Sequence, residues 1–156
     1  MKIEMKPVAY VRTSRVDLAD DDWGDVPSVI ELAEELSAEA LLGLEDFSHV
    51  EVFFVFDRVA ESSIVPTARH PRDNLSWPRV GIFAQRGKGR PNRLGATICR
   101  IVKRDGRCLH VLGLDAIDGT PVIDLKPVMR EFLPREPVTQ PAWASELMRD
   151  YWHKSG

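Results

Sequence analysis

The sequence predicts a mainly β fold of the α+β kind, a single sheet curled into a barrel with a few short helices, rather than a doubly wound nucleotide-binding sheet. Three observations lead there. Stretches with strand character outnumber helical ones, a long hairpin is apolar on both faces, and no Gly-x-Gly-x-x-Gly follows any strand. The 156 residues fit one domain, taken as 1–156 with its core over 6–134.

In chain order, Pro7–Thr13 is a strand by its β-branched and aromatic content. Asp20-Asp21-Asp22 follows in a polar loop. Ser28 with Glu31 three residues on has the spacing of a capping box, and Val29, Ile30, Leu32, Ala33, Leu36 and Ala40 continue at helical intervals, so a helix is expected to end near Gly43. Val50–Phe56 is a nearly unbroken apolar run, the pattern of a strand covered on both sides. Arg79–Ala84 reads as another strand, bounded by Pro78 and the Gly87-Lys88-Gly89 turn. Asp105-Gly106 supplies the positive φ angles of a two-residue turn for a hairpin over Ala96–Gly113. That turn pairs Lys103 with Cys108 and Cys99 with Leu112, and it sets Ile98, Val102, Leu109 and Val111 on one face with Cys99, Ile101, Cys108 and Leu112 on the other. One face fills a barrel and the other needs a helix or a second subunit to cover it. Thr120–Leu125 is a last strand, ended by Lys126-Pro127. The proline-bearing tail runs extended until Trp143, Leu147, Met148, Tyr151 and Trp152 recur at helical spacing over about 142–152.

Composition narrows the function classes. With 44% apolar and 29% charged residues the chain is an ordinary globule. No apolar run reaches the ~20 residues that span a bilayer, and the opening Met1–Pro7 has no signal-like stretch, so no membrane partner and a cytoplasmic location are expected. Cys99 and Cys108 are too few for a disulfide framework or a zinc cluster and are expected to be inert, buried thiols, with no metal bound. The net charge of -3 hides a segregation: residues 1–68 carry 5 Lys/Arg against 15 Asp/Glu, 69–107 carry 11 against 2, and 108–156 carry 5 against 7. The basic block is suited to a polyanion or to the acidic half of the chain, and charge alone leaves both open.

Walker loops, nucleophile elbows and paired histidines at ligand spacing are absent from the sequence, which removes ATP and zinc-hydrolase chemistry. His49 and His110 sit within apolar strands and His153 in the tail, leaving His70 with loop surroundings suited to a site. Three turns carry the remaining chemistry: Arg69-His70-Pro71-Arg72, then Arg86 to Asn92, then Leu114 to Pro121. The first two offer forked cationic donors on backbones shaped by Gly and Pro, and the third offers Asp115 and Asp118. A pocket between them could take a zwitterion such as an amino-acid moiety.

Together and in this order the motifs resemble one family. Val80-Gly81-Ile82-Phe83-Ala84-Gln85-Arg86, then Arg90-Pro91-Asn92-Arg93-Leu94-Gly95, then Gly113 through Pro127, with Gly43-Leu44-Glu45-Asp46-Phe47-Ser48-His49 upstream, look like the TsaA/YaeB-like family of TrmO-type tRNA methyltransferases over most of residues 6–134. The resemblance implies a non-Rossmann β-barrel methyltransferase, homodimeric, with S-adenosyl-L-methionine near the subunit interface, acting on N6 of threonylcarbamoyl-modified adenosine 37 of tRNA. By position the cofactor contacts would fall on Asp57, Arg58, Arg86, Leu94, Leu114, Asp115, Ala116, Ile117 and Asp118. Substrate contacts would fall on His70, Arg72, Arg90, Asn92 and Lys126, with tRNA held by the basic 69–107 block. The chain departs from the family pattern at Gln85–Gly89, at Asp57 where a His is usual, and in its acidic loop Asp20–Asp25.

An adenine exocyclic amine is a poor nucleophile because its lone pair is delocalised into the ring, so a carboxylate accepting its N–H assists transfer. Asp118 or Asp115 is the expected acceptor, with Arg72, Arg86 and Arg90 gripping cofactor carboxylate or RNA phosphate. A small-molecule methyltransferase on the same barrel and a non-catalytic cofactor- or RNA-binding module are the competing readings.

Overall fold

A computed structural model describes residues 1–153. Its sheet is a closed antiparallel barrel in which β1 (Ala9–Thr13), β2 (Pro27–Leu32), β7 (Cys108–Leu112), β6 (Leu94–Asp105), β3 (His49–Val55) and β8 (Pro121–Pro127) pair in that order, and β8 returns to β1. Closure pairs every edge, which a six-stranded open sheet would leave exposed to other chains. Two short strands, β4 (Ala68–Arg69) and β5 (Val80–Gly81), form a separate ribbon. The helical element α1 spans Ala142–Leu147.

Alternation along the strands makes the core. Val50, Val52 and Phe54 of β3 point inward at 0–1% exposure while their neighbours are half-buried. Val11, Ile30, Leu109, Val111 and Val122 meet them from the other strands. Each such side chain contributes about 1.5–3 kcal/mol by leaving water. Phe54 is directly opposite Gly95 on β6. A methyl on Gly95 would stand 2.6 Å from the Phe54 ring and 3.0 Å from that of Phe56, so this glycine makes room for the edge-to-face pair of rings.

The helix expected from Ser28 does not form. Residues 27–32 are strand β2, with Ser28, Ile30 and Leu32 buried and Glu31 exposed, a period of two. Pairing with β1 on one side and β7 on the other satisfies both backbone edges, which overrides the capping pattern. Helical character is confined to a 3₁₀ turn at Ala38–Leu41, where Ser37, not Ser28, accepts the Glu39 amide at 3.2 Å. Gly43 does end this segment, with φ 94°.

Two more expectations are corrected. The 79–84 strand is only Val80–Gly81, followed by a 3₁₀ turn over Ile82–Ala84. The hairpin is present, but its loop is Gly106-Arg107 with Asp105 opposite Cys108, and Gly106 takes the left-handed φ of 58°. A bulge between Ile101 and Lys103 then sets Lys103 opposite His110. This slip changes the faces: Cys99, Leu109 and Val111 are interior, whereas Ile98 and Val102 are exposed. Cys108 is on the outer face, so the two cysteines do not share one. The C-terminal helix is shorter than 142–152, ending at Leu147.

Two outcomes are expected. Gly95→Ala overpacks the core and lowers the urea midpoint by an amount equivalent to about 1–3 kcal/mol. Burial, reinforced by the Asp115 carboxylate, pushes the Cys99 thiol up to about 12, so it stays protonated at neutral pH. A thiol reagent should therefore label Cys108 in the folded protein and Cys99 only on unfolding.

Candidate active site

One open cavity of about 1430 Å³ lies at the end of the barrel, and all three turns singled out in the sequence border it. Arg69, Pro71 and Arg72 come from the first, Arg86 to Arg90 from the second, and Asp115, Ala116 and Ile117 from the third. Asp57 and Arg58, at the exit of β3, and Leu94, at the start of β6, also line it. Strand ends and rigid turns thus deliver side chains that lie tens of residues apart in the chain.

The turns are held in uncommon backbone conformations. Arg72 and Asp73 have φ of 52° and 57°, and Asn92 and Arg93 have 63° and 50°. Left-handed conformations at non-glycine residues are sparsely populated and need surrounding contacts to hold them. Arg93 fixes its turn by donating to the Val59 carbonyl at 2.8 Å. Arg90 donates to the Gln85 carbonyl at 2.6 Å, and Arg86 to that of Ala96 at 2.5 Å. Arg72 meets the acidic loop, donating to Asp21 at 3.1 Å. Arg15 folds over the Trp23 ring, 3.7 Å from its centroid, and donates to the Asp21 and Asp22 carbonyls.

Asp115 is the carboxylate that the structure builds into the cavity. Its Oδ1 accepts from the Thr97 hydroxyl and its Oδ2 from the Tyr151 hydroxyl. Burial first, then the Asp115 charge, raise the Tyr151 phenol far above its ordinary value, so it stays protonated as a donor. Each carboxylate oxygen retains a second lone pair for a ligand.

Five expected residues stand elsewhere. Asp118 does not border the cavity; its carboxylate accepts the Thr13 amide at 3.1 Å and its own amide donates to the Arg15 carbonyl at 2.8 Å, a structural tie to β1. Leu114 is fully buried in the barrel core. His70 donates from Nδ1 to the Trp77 carbonyl at 2.7 Å. Asn92 shapes its turn without lining the cavity, and Lys126 is on β8 opposite Glu51 of β3. The basic block divides in the same way. Two of its later members are structural: Arg107 donates to the Leu32, Leu36 and Ala33 carbonyls, and Arg104 pairs with Glu45 at 2.9 Å.

Thr97, Trp23 and Tyr151 escaped the reading of the sequence. Thr97 is one threonine in a strand, and Tyr151 is part of an apolar helical spacing that reads as packing. Among the described residues, no cluster of three or more His, Cys, Asp or Glu could hold a metal, and no helix is long and apolar enough to cross a membrane.

Comparison with known proteins gives this arrangement a context. Residues 21–132 match the family model described as the tRNA-methyltransferase O N-terminal domain. A human protein named tRNA (adenine(37)-N6)-methyltransferase is 37% identical over 102 residues, 65% of this chain and 23% of that one. Its namesake from Escherichia coli is 40% identical over 96 residues, 59% of this chain and 40% of that one. A probable S-adenosyl-L-methionine-binding protein of Pyrococcus abyssi is 35% identical over 115 residues, 73% of this chain and 59% of that one. The crystal structure of TrmO from Pseudomonas aeruginosa superposes with a TM-score of 0.73 at 26% identity, covering 92% of this chain and 62% of that one. The chain thus spans between about a quarter and three fifths of the length of these relatives. With its barrel, its three converging turns and a family match over most of its length, the chain belongs to the family of tRNA-methyltransferase O N-terminal domains.

Proposed function

We propose that this chain is an S-adenosyl-L-methionine-dependent methyltransferase acting on N6 of adenosine 37 in tRNA. The observation that carries the reading is the meeting of arginine-bearing and aspartate-bearing turns at one cavity in a member of this family. The donor set fits the cofactor. Arginines suit the carboxylate of its amino-acid end, Asp57 suits ammonium or ribose hydroxyls, and Phe56 and Leu94 offer apolar surface to adenine. Arg69 Nε, buried beside the cavity, has no partner among the described residues and fits an incoming acceptor.

The bound cofactor supplies a methyl group on a sulfonium, open to in-line displacement. This chain's residues do the rest. The arginine turns hold the anionic ends, and the cavity walls keep the reacting groups in line. Asp115 accepts a hydrogen bond from the exocyclic amine and so returns electron density to nitrogen; Asp118, tied to the Thr13 amide of β1 and outside the cavity lining, is a frame residue in this reading. The target base must be splayed out of its loop to reach the cavity.

The substrate we favour carries the threonylcarbamoyl group, because that group adds a carboxylate, and Arg72, Lys88 and Arg90 line the cavity with cations to meet it. We also propose a homodimer, since Phe83 at 80% exposure and Ile98 at 43% flank the cavity as apolar surface for a second copy to cover. We propose a cytoplasmic location, where tRNA is abundant.

Incubation with labelled cofactor and total tRNA should yield N6-methylated threonylcarbamoyladenosine by nucleoside mass spectrometry, and tRNA lacking the threonylcarbamoyl group should yield far less. Asp115→Asn should lower turnover by about 10²-fold or more, whereas Asp118→Asn should act on stability. Affinity for tRNA should fall steeply between low and physiological salt, and a salt-insensitive product would point to a small-molecule substrate.

A further inference from the structure

Beyond the matched segment, residues 133–153 add nothing to the barrel, whose last strand ends at Pro127. Yet the end of this tail is fastened with unusual care. The amides of Asp22, Trp23 and Gly24 donate in succession to the carbonyls of Asp150, Tyr151 and Trp152, at 3.0, 2.8 and 2.9 Å. Glycine at 24 is what permits the approach, since a methyl there would stand 1.9 Å from the Trp152 carbonyl oxygen. Farther up, the Trp77 indole donates to Glu146 at 2.8 Å. The tail's Trp143, Leu147 and Tyr151 consequently wall the cavity.

What the tail delivers there is one hydroxyl. The Tyr151 ring stands edge-on to Trp152, 4.8 Å between centroids, and its hydroxyl donates to Asp115 Oδ2 while Thr97 holds Oδ1. An aspartate has two soft side-chain torsions, and a grip on both oxygens removes them. Without Tyr151 the carboxylate can turn about its one remaining bond.

We propose that Tyr151 is a positioning residue for methyl transfer: the C-terminal tail, clamped on the acidic loop at Gly24, walls one side of the cavity and orients the Asp115 carboxylate toward the target amine. The inference rests on the function proposed above. A misplacement of about 1 Å in such a group costs up to about 10²-fold in rate, so the hydroxyl matters to kcat and little to binding.

The test is a double-mutant cycle on the full chain with labelled S-adenosylmethionine and threonylcarbamoylated tRNA. Tyr151→Phe keeps the ring and removes the hydroxyl. It is expected to lower kcat by about 10-fold or more, leaving the cofactor Kd within about twofold and the melting temperature nearly unchanged. In an Asp115→Asn background the same substitution should cost almost nothing, because its effect passes through Asp115. Gly24→Ala unseats the tail and so removes both the hydroxyl and the wall that the tail brings; it should lower kcat at least as far as Tyr151→Phe does. Full turnover by Tyr151→Phe, or an equal loss in both backgrounds, overturns the role of Tyr151 alone. A wild-type chain that binds cofactor but methylates no adenosine overturns the proposed function and this role with it.

Discussion

The segment from Gly113 to Thr120 crosses the mouth of the barrel, and its attachment to β1 fixes everything at the cavity. Val11 donates to the Thr120 carbonyl at 3.0 Å and accepts from the Gly119 amide at 2.7 Å, while Asp118 is tied to Thr13 and Arg15. Each such bond contributes about 1 kcal/mol net, and together they leave the crossing no room to shift. Leu114, Ala116 and Ile117 bury on the inner side, at 0–6% exposure. The aspartate between them is thereby committed to the cavity. Asp118 serves this frame through its ties to the Thr13 amide and the Arg15 carbonyl.

The cationic side of the cavity is organised on the same plan. Arg86 and Arg90 spend part of their donor capacity on nearby carbonyls, so their guanidinium groups are already oriented when an anion arrives. The left-handed pairs at 72–73 and 92–93 store about 1–3 kcal/mol per residue, which the Arg93 bond to Val59 and the Arg69 pair with Asp73 help to offset. The acidic loop is likewise no idle solvated stretch. Asp21 answers Arg72, and the loop amides receive the C-terminal tail.

Much of this was legible in the sequence. The apolar run at 50–56, the Asp-Gly turn and the last strand mark a barrel, and the Arg, Gly and Pro turns mark its mouth, because both signals are local. What was hidden depends on distant partners. Val29, Ile30 and Leu32 satisfy a helical spacing and an alternating one equally, and the choice is made by β7, some eighty residues downstream. The bulge near Val102 inverts the hairpin faces with no glycine or proline to announce it. Asp115 and Asp118 are indistinguishable as letters, and only the partners Thr97 and Tyr151 on one and the Thr13 amide on the other separate them. Arg104 and Arg107 likewise inflate the basic block while serving Glu45 and the carbonyls of 32–36.

Barrel closure also has a bearing on synthesis. β1 and β2 are close enough in the chain to pair early in synthesis, but the strands that flank them lie far downstream, β8 about 110 residues beyond β1 and β7 about 80 beyond β2. Until translation passes Pro127 the nascent hairpin keeps two unsatisfied backbone edges in the crowded cell. Lys2, Glu4 and Lys6 at its N-terminal approach and the surface residues Arg12 and Glu31 give that waiting ribbon charges that discourage pairing with a neighbouring polysome's product.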